Sequence, residues 1–208
     1  DSMEKELQKI RYSSSSRRNG LIIDLRGNPG GLLKQSIKVA DLLLSKGHIV
    51  STRGRHPDSL HHYEASGRDF ADGWRIVVLV DGKSASASEI VAAALQDQGR
   101  AVVVGTSSYG KGTVQTVIKL PNEGEITLTW SQLIAPAGYK LHGRGVLPLV
   151  CTSGIDDDNP DGYSIVRKSL ANKIRIENIF KSWRKADHLN KQKYQQLRTF
   201  CPPEHRKL

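Results

Sequence analysis

The chain has 208 residues, 38% hydrophobic and 25% charged, and its 31 lysines and arginines against 21 aspartates and glutamates give a formal charge of +10. That composition supplies a core for one domain, or for one with a small appendage, and excludes a disordered chain; no apolar run approaches the roughly 18 residues of a membrane span. Two cysteines, Cys151 and Cys201, exclude a thiolate zinc cage and a disulfide-dense scaffold, and leave one bridge open whose formation would indicate an oxidising compartment.

Residues 1–10 have helical composition, with Leu7 and Ile10 on one face, and 13–20 read as a loop. An apolar strand over 21–25 is broken by Gly27-Asn28-Pro29-Gly30-Gly31, and a helix over 32–46 follows, ended by Gly47. Residues 48–52 read as a strand. The polar stretch 53–73, with His56, His61 and His62, reads as a long surface loop or an exposed hairpin, its adjacent histidines facing solvent rather than a metal. A second cycle is sharper: strand 74–80, turn 81–84, alanine-rich helix 86–98 stopped by Gly99, strand 101–105 and loop 106–112. Residues 113–120 and 125–133 then alternate like antiparallel strands around a turn. Strands alternating with helices predict an α/β domain built on crossover units. The pattern breaks at 148–160, and 164–207 reads as two helices parted near 186–190.

The positive charge is uneven. Residues 151–208 carry 12 basic and 7 acidic side chains, 12 − 7 = +5, and residues 1–20 carry 5 and 3, 5 − 3 = +2. In the tail the basic residues mostly follow an acidic patch, Asp156–Asp158 with Asp161, and are interleaved with Trp183, Tyr194 and Phe200. An ordinary solvated helical face is the expectation. Neither an RNA-binding aromatic motif nor a zinc finger supports nucleic acid as a partner, and anionic lipid is the other acidic candidate.

Ser84, Ser86 and Ser88 alternate with alanines and precede Glu89 at a strand-to-helix junction. Ser86 with Glu89 three residues later is a capping box, common in proteins of every function. A serine hydroxyl becomes a nucleophile only beside a base, and no histidine has a short-range context for that role. Lys111, between Gly110 and Gly112, is the other candidate: burial against apolar walls disfavours its charge, and a neutral amine accepts a proton. Gln115, an even number of residues later, could face the same side in extended chain and orient the amine. A phosphate-cradling loop is the rival reading, but the P-loop spacing and the hydroxyl after the lysine are absent. Gly27–Gly31 is either a plain tight turn or the source of an amide that, beside that of Ala87, makes a two-donor oxyanion hole.

Asp24-Leu25-Arg26-Gly27-Asn28-Pro29-Gly30-Gly31, Ser84-Ala85-Ser86-Ala87-Ser88-Glu89-Ile90, Gly110-Lys111-Gly112-Thr113-Val114-Gln115 and Gly143-Arg144-Gly145-Val146-Leu147-Pro148 stand in an order that resembles the carboxy-terminal processing peptidases, or tail-specific proteases. The resemblance covers about residues 5 to 148. It implies an α/β, crotonase/ClpP-like spiral protease core over 1–150, incomplete at its N-terminus, followed by a basic, mainly helical extension over 151–208 for which the family offers no role. It implies Ser86 as nucleophile, Lys111 as general base, Gln115 as the residue holding the lysine, and Gly31 and Ala87 as oxyanion-hole amides, with Asp97 in a supportive position. The reaction implied is peptide-bond hydrolysis near protein C-termini through an acyl-enzyme, with no metal or organic cofactor. Substrates would be proteins or peptides with accessible C-termini. A periplasmic or other exported location follows from the same resemblance. The family's PDZ domain is not visible in this chain and is expected elsewhere in a full-length protein, as is a signal peptide. Leu149 departs from the acidic residue that tends to follow the family's proline. The alternative is a catalytically inactive or truncated peptide-binding scaffold with the same fold.

Overall fold

Apolar residues at every second position of a strand, or on all sides of a short alanine-rich helix, decide what this chain buries. The computed structural model describes residues 2–12, 20–155, 161–171, 178 and 199–204. Its elements run α1 (Ser2–Tyr12), β1 (Gly20–Asp24), α2 (Leu33–Asp41), β2 (His48–Arg53), β3 (His61–Glu64), β4 (Arg75–Val80), α3 (Ala87–Asp97), β5 (Ala101–Gly105), β6 (Thr113–Lys119), β7 (Glu125–Ile134), β8 (Val150–Cys151) and α4 (Gly162–Ala171). None of the described helices is long and apolar enough to cross a membrane.

The strands form two four-stranded sheets, ordered β1-β4-β5-β8 and β3-β2-β7-β6. The first is parallel throughout, because α2 and α3 lie in the connections between its strands; the second is antiparallel, with hairpins β2–β3 and β6–β7. In β4, Ile76, Val78 and Val80 point inward and are buried. Helix α3 touches α2, β2 and β5, so it is clasped between the sheets and every residue from Ala87 to Leu95 is buried. Its alanines permit that close approach, and the unbroken apolar run Ile90–Leu95 has no face to offer water. Ile90 and Leu95 are among the largest fully buried side chains, each contributing about 1.5–3 kcal/mol by removal from water.

The helix expected over 32–46 stops at Asp41. The Leu42 carbonyl is taken by the Phe70 N–H at 2.8 Å, and the Asp41 carboxylate accepts from the N–H and hydroxyl of Ser66. Tertiary partners therefore override helical periodicity, while Leu43 and Leu44 remain buried in the turn. The stretch 53–73 is a hairpin in part, with β3 pairing β2. Cys151 and Cys201 form a disulfide, S–S 2.06 Å, that ties the segment around Cys201 to β8. Of the two tail helices expected over 164–207, α4 is the described start of the first; residues 172–177 and 179–198, with Trp183 and Tyr194, lie outside the described residues, as does the loop 13–19. Residues 201–204 are irregular rather than helical, because Pro202 and Pro203 lack the N–H a helix needs.

Candidate active site

Parallel strands deliver their C-terminal ends to one edge of the sheet, where the loops after them meet. After β4, the buried Asp81 carboxylate accepts the N–H groups of Lys83 and Ser84, each at 2.9 Å, and that of Gly27 from the loop after β1 at 3.0 Å. Ser84 Oγ donates to the Leu25 carbonyl at 2.8 Å and Ser88 Oγ donates to the Asn28 carbonyl at 3.1 Å. Both serines are buried, so two of the three alternating hydroxyls are committed to holding the glycine loop. Ser86 differs. Its backbone lies at φ 56° and ψ −113°, a conformation that costs a non-glycine residue about 1–3 kcal/mol and recurs where a strand-to-helix turn exposes a side chain.

The glycine loop is pressed against that turn. Asn28 accepts the Ala85 N–H on its carbonyl at 3.0 Å and the Gly30 N–H on its side chain at 2.9 Å. Gly30 sits at φ 102°, and a Cβ there would lie 2.6 Å from the Ala85 oxygen and 2.8 Å from the Ala87 nitrogen. Only glycine permits this approach. Beside it, Asp24 and Arg26 form an ion pair at 2.7 Å; the Arg26 hydrogen bond holds the Asp24 carboxyl below its ordinary range.

The third loop, after β5, is held by Glu89. This wholly buried carboxylate accepts the Ser86 N–H at 2.7 Å, the Gly110 N–H at 2.6 Å, the Lys111 N–H at 2.8 Å and the Ser108 hydroxyl. Burial pushes its pKa up, and the Ser108, Ser86, Gly110 and Lys111 hydrogen bonds oppose that rise by favouring the charged form. Ser108 in turn accepts the Val146 N–H at 2.7 Å, and the Gly143 N–H donates to the Gly110 carbonyl at 2.8 Å. A Cβ on Gly112 would collide with the backbone of Leu141 and His142. The four sequence motifs thus converge on one place.

Three of them border a cleft of about 270 Å³, while 143–148 stands behind the Lys111 loop. Ser86, Lys111, Gln115, Gly31 and Ala87 all line it, together with Leu32, Leu33, Ile90, Thr113, Val114 and Leu133. Ala87 begins α3, so its N–H has no place in the helical ladder. Lys111 is exposed, which differs from the burial that the sequence suggested: the flanking glycines bring no apolar side chains to cover it. Lys111 also precedes β6, and a register shift falls between Val114 and Gln115, so the two reach one cleft without lying on one regular strand face.

Residues 1–150 match Peptidase family S41. The chain belongs to that family. A carboxy-terminal-processing protease of Bartonella bacilliformis is 46% identical over 146 residues, covering 70% of this chain and 34% of the relative. A carboxyl-terminal-processing protease of Picosynechococcus sp. is 35% identical over 162 residues, covering 78% of this chain and 37% of the relative. Among solved structures, a photosystem II D1 C-terminal processing protease superposes with a TM-score of 0.61 at 30% identity, over 71% of this chain and 37% of that one. The chain therefore spans about a third of the length of these relatives.

Asp97, the remaining residue singled out in this S41 chain, does not line the cleft. It ends α3 and accepts the Ala137 N–H at 3.1 Å, fixing the turn that follows β7. Two residues escaped the sequence reading. Asp81 had no flag beyond its turn position, whereas Glu89 was visible only as half of a capping box. Its signal was an acid within a helix start that is otherwise small and apolar, where a buried charge demands several donors.

Proposed function

We propose that this chain is the core of a serine peptidase that hydrolyses peptide bonds near protein C-termini, with Ser86 as nucleophile and Lys111 as general base. The observation that carries the reading is the shared cleft: the strained Ser86 turn faces a cavity whose walls also hold Lys111, Gln115, Gly31 and Ala87. Ser84 and Ser88 are buried and bonded to carbonyls, which leaves Ser86 as the serine of that motif open to a substrate.

In this mechanism the uncharged Lys111 amine, oriented by Gln115, takes the Ser86 proton as Oγ bonds to the scissile carbonyl carbon. The negative oxygen is met by the N–H groups of Gly31 and Ala87, with the positive end of α3 behind them. Collapse breaks the C–N bond, and Lys111 returns its proton to the leaving amine. Water then attacks the acyl ester with Lys111 again as base, the C–Oγ bond breaks, and Lys111 returns the proton to Ser86 Oγ as the new C-terminus leaves. The Lys111 side chain is exposed in the cleft, so a peptide lying across it would cover it from water. Leu32, Leu33, Ile90, Val114 and Leu133 offer that peptide an apolar wall.

The parallel sheet with α3 clasped against a second sheet supports a crotonase/ClpP-like spiral core. The Cys151–Cys201 disulfide supports an exported compartment such as the periplasm. A PDZ domain elsewhere in a full-length protein would present substrate tails. Hydrolysis of an unstructured protein by that full-length enzyme tests the reading, alongside labelling of Ser86 by an acylating probe. Ser86→Ala and Lys111→Ala should each abolish both signals. Full activity in either variant refutes the assignment, and saturable peptide binding without turnover or labelling would favour the inactive scaffold.

A further inference from the structure

Residues beyond 150 lie outside the matched family region, yet Cys201 and Glu204 reach back to the loops that carry Ser86 and Lys111. The Glu204 carbonyl accepts the Gly82 N–H at 2.8 Å, and its own N–H donates to Thr106 Oγ1 at 3.1 Å. Its carboxylate accepts from Ser153 Oγ at 2.6 Å and from the Gly154 N–H at 2.9 Å. The Cys201 carbonyl accepts the Ser107 hydroxyl. Gly82 stands in the turn leading to Ser86, beside the Asp81 that also holds Gly27. Ser107 precedes Ser108, whose hydroxyl donates to Glu89 and so joins the group that fixes the N–H of Ser86 and of Lys111.

We propose that the strap Cys201–Glu204, secured by the Cys151–Cys201 disulfide, is a positioning element that holds the Ser86 turn and the Lys111 loop at one spacing, and that its release by reduction lowers turnover. Fifty residues separate the two cysteines, so without the covalent bond a few hydrogen bonds would have to offset the closure of a long loop. Cys201 is fully buried and Cys151 is half-buried, which makes the Cys151 sulfur the point of attack. A dithiol's thiolate bonds to Cys151 Sγ, the S–S bond breaks, and Cys201 leaves as a thiolate that takes up a proton. The reductant's second thiolate then closes its own disulfide and frees the Cys151 thiol. The rate effect rests on the serine–lysine reading, whereas the anchoring of the loops does not.

The test compares the full-length protein oxidised, the same protein reduced with dithiothreitol until both thiols titrate, and the oxidised variants Thr106→Val and Thr106→Ser. Peptide hydrolysis and amide hydrogen exchange are read on each. Reduction and Thr106→Val should lower kcat about ten- to a hundredfold with KM within about twofold, as expected when reacting groups are displaced rather than binding lost. Thr106→Ser, which keeps the hydroxyl, should retain the oxidised kcat. Exchange at the Gly82 and Gly110 amides should quicken at least about tenfold on reduction. Unchanged exchange overturns the proposal whatever the kinetics, and quickened exchange with an unchanged kcat overturns it as a positioning device. Should the oxidised enzyme neither hydrolyse peptide nor label at Ser86, the serine–lysine reading falls, while the exchange data still decide whether the strap anchors the loops.

Discussion

One oxygen of Glu89 binds the backbone N–H of Lys111 at 2.8 Å and that of Ser86 at 2.7 Å, so a single buried atom sets where the two loops stand relative to each other. Its companion oxygen accepts Gly110 and Ser108. A glutamine in its place keeps one acceptor oxygen and turns an NH₂ group toward N–H donors, each buried mismatch costing about 1–3 kcal/mol. Glu89→Gln should therefore lower the thermal midpoint and reduce kcat about ten- to a hundredfold while leaving KM within about threefold, because the cleft wall is retained. Steady-state kinetics with a peptide, together with calorimetry, check this. A kcat equal to that of the unsubstituted enzyme would show that the Lys111 loop is placed by other contacts.

The same carboxylate makes stability depend on pH. Burial raises its folded pKa above the ordinary 4.5, so between 4.5 and that raised value the folded protein binds more protons than the unfolded chain. Stability contributed by this group is thus greatest at or below 4.5 and falls as pH rises through the folded pKa. Relative to Glu89→Gln, the unsubstituted chain should lose stability with rising pH across that window, by at most about 1.4 kcal/mol per pH unit for one proton. Denaturant unfolding of both proteins at a series of pH values measures the difference. A gap that widens in favour of the unsubstituted chain as pH rises would mean that its four hydrogen bonds outweigh burial.

The strands, the alanine-rich helix and the four motifs were legible because each leaves a short-range mark: alternation in Ile76, Val78 and Val80, small residues from Ala92 to Ala94, glycines at the turns. What was not legible depends on partners far away in sequence. Helix α2 ends at Asp41 because Ser66 and Phe70 claim its last groups, and nothing within residues 32–46 announces them. Of three equivalent-looking serines, Ser84 and Ser88 are removed from consideration only by contacts to Leu25 and Asn28, some 60 residues upstream. The exposure of Lys111 likewise follows from what packs around its loop rather than from the glycines beside it.

Gly30 is where a single methyl group should separate folding from chemistry. Its Cβ would meet backbone on both sides, at the Ala85 oxygen and the Ala87 nitrogen, and φ 102° is itself unfavourable for alanine. The loop must move off the turn, carrying Gly31 away from Ala87. Losing one oxyanion donor typically costs about 10²- to 10³-fold in rate, so Gly30→Ala should lower kcat by that order. Labelling of Ser86 by an acylating probe should slow in parallel, with the far-ultraviolet spectrum unchanged. An active Gly30→Ala enzyme would place the oxyanion donors elsewhere.

On the second sheet, His48 of β2 stacks on His62 of β3 with ring centroids 4.0 Å apart, and Ser51 Oγ lies 2.9 Å from a ring nitrogen of each. Burial pushes the His48 pKa below its ordinary 6.5, and charge on His62 pushes the same way, against weaker support from backbone hydrogen bonds and Glu64. The folded protein therefore binds fewer protons than the unfolded chain between the lowered value and 6.5. Stability from this site is complete above 6.5 and is lost as pH falls through that window. His48→Gln, which keeps a polar side chain but does not titrate, should flatten the dependence, so that the two proteins converge in relative stability as the solution is acidified. Denaturant midpoints across the window read this directly. Parallel curves for the two proteins would mean that His48 takes up no proton differently on folding.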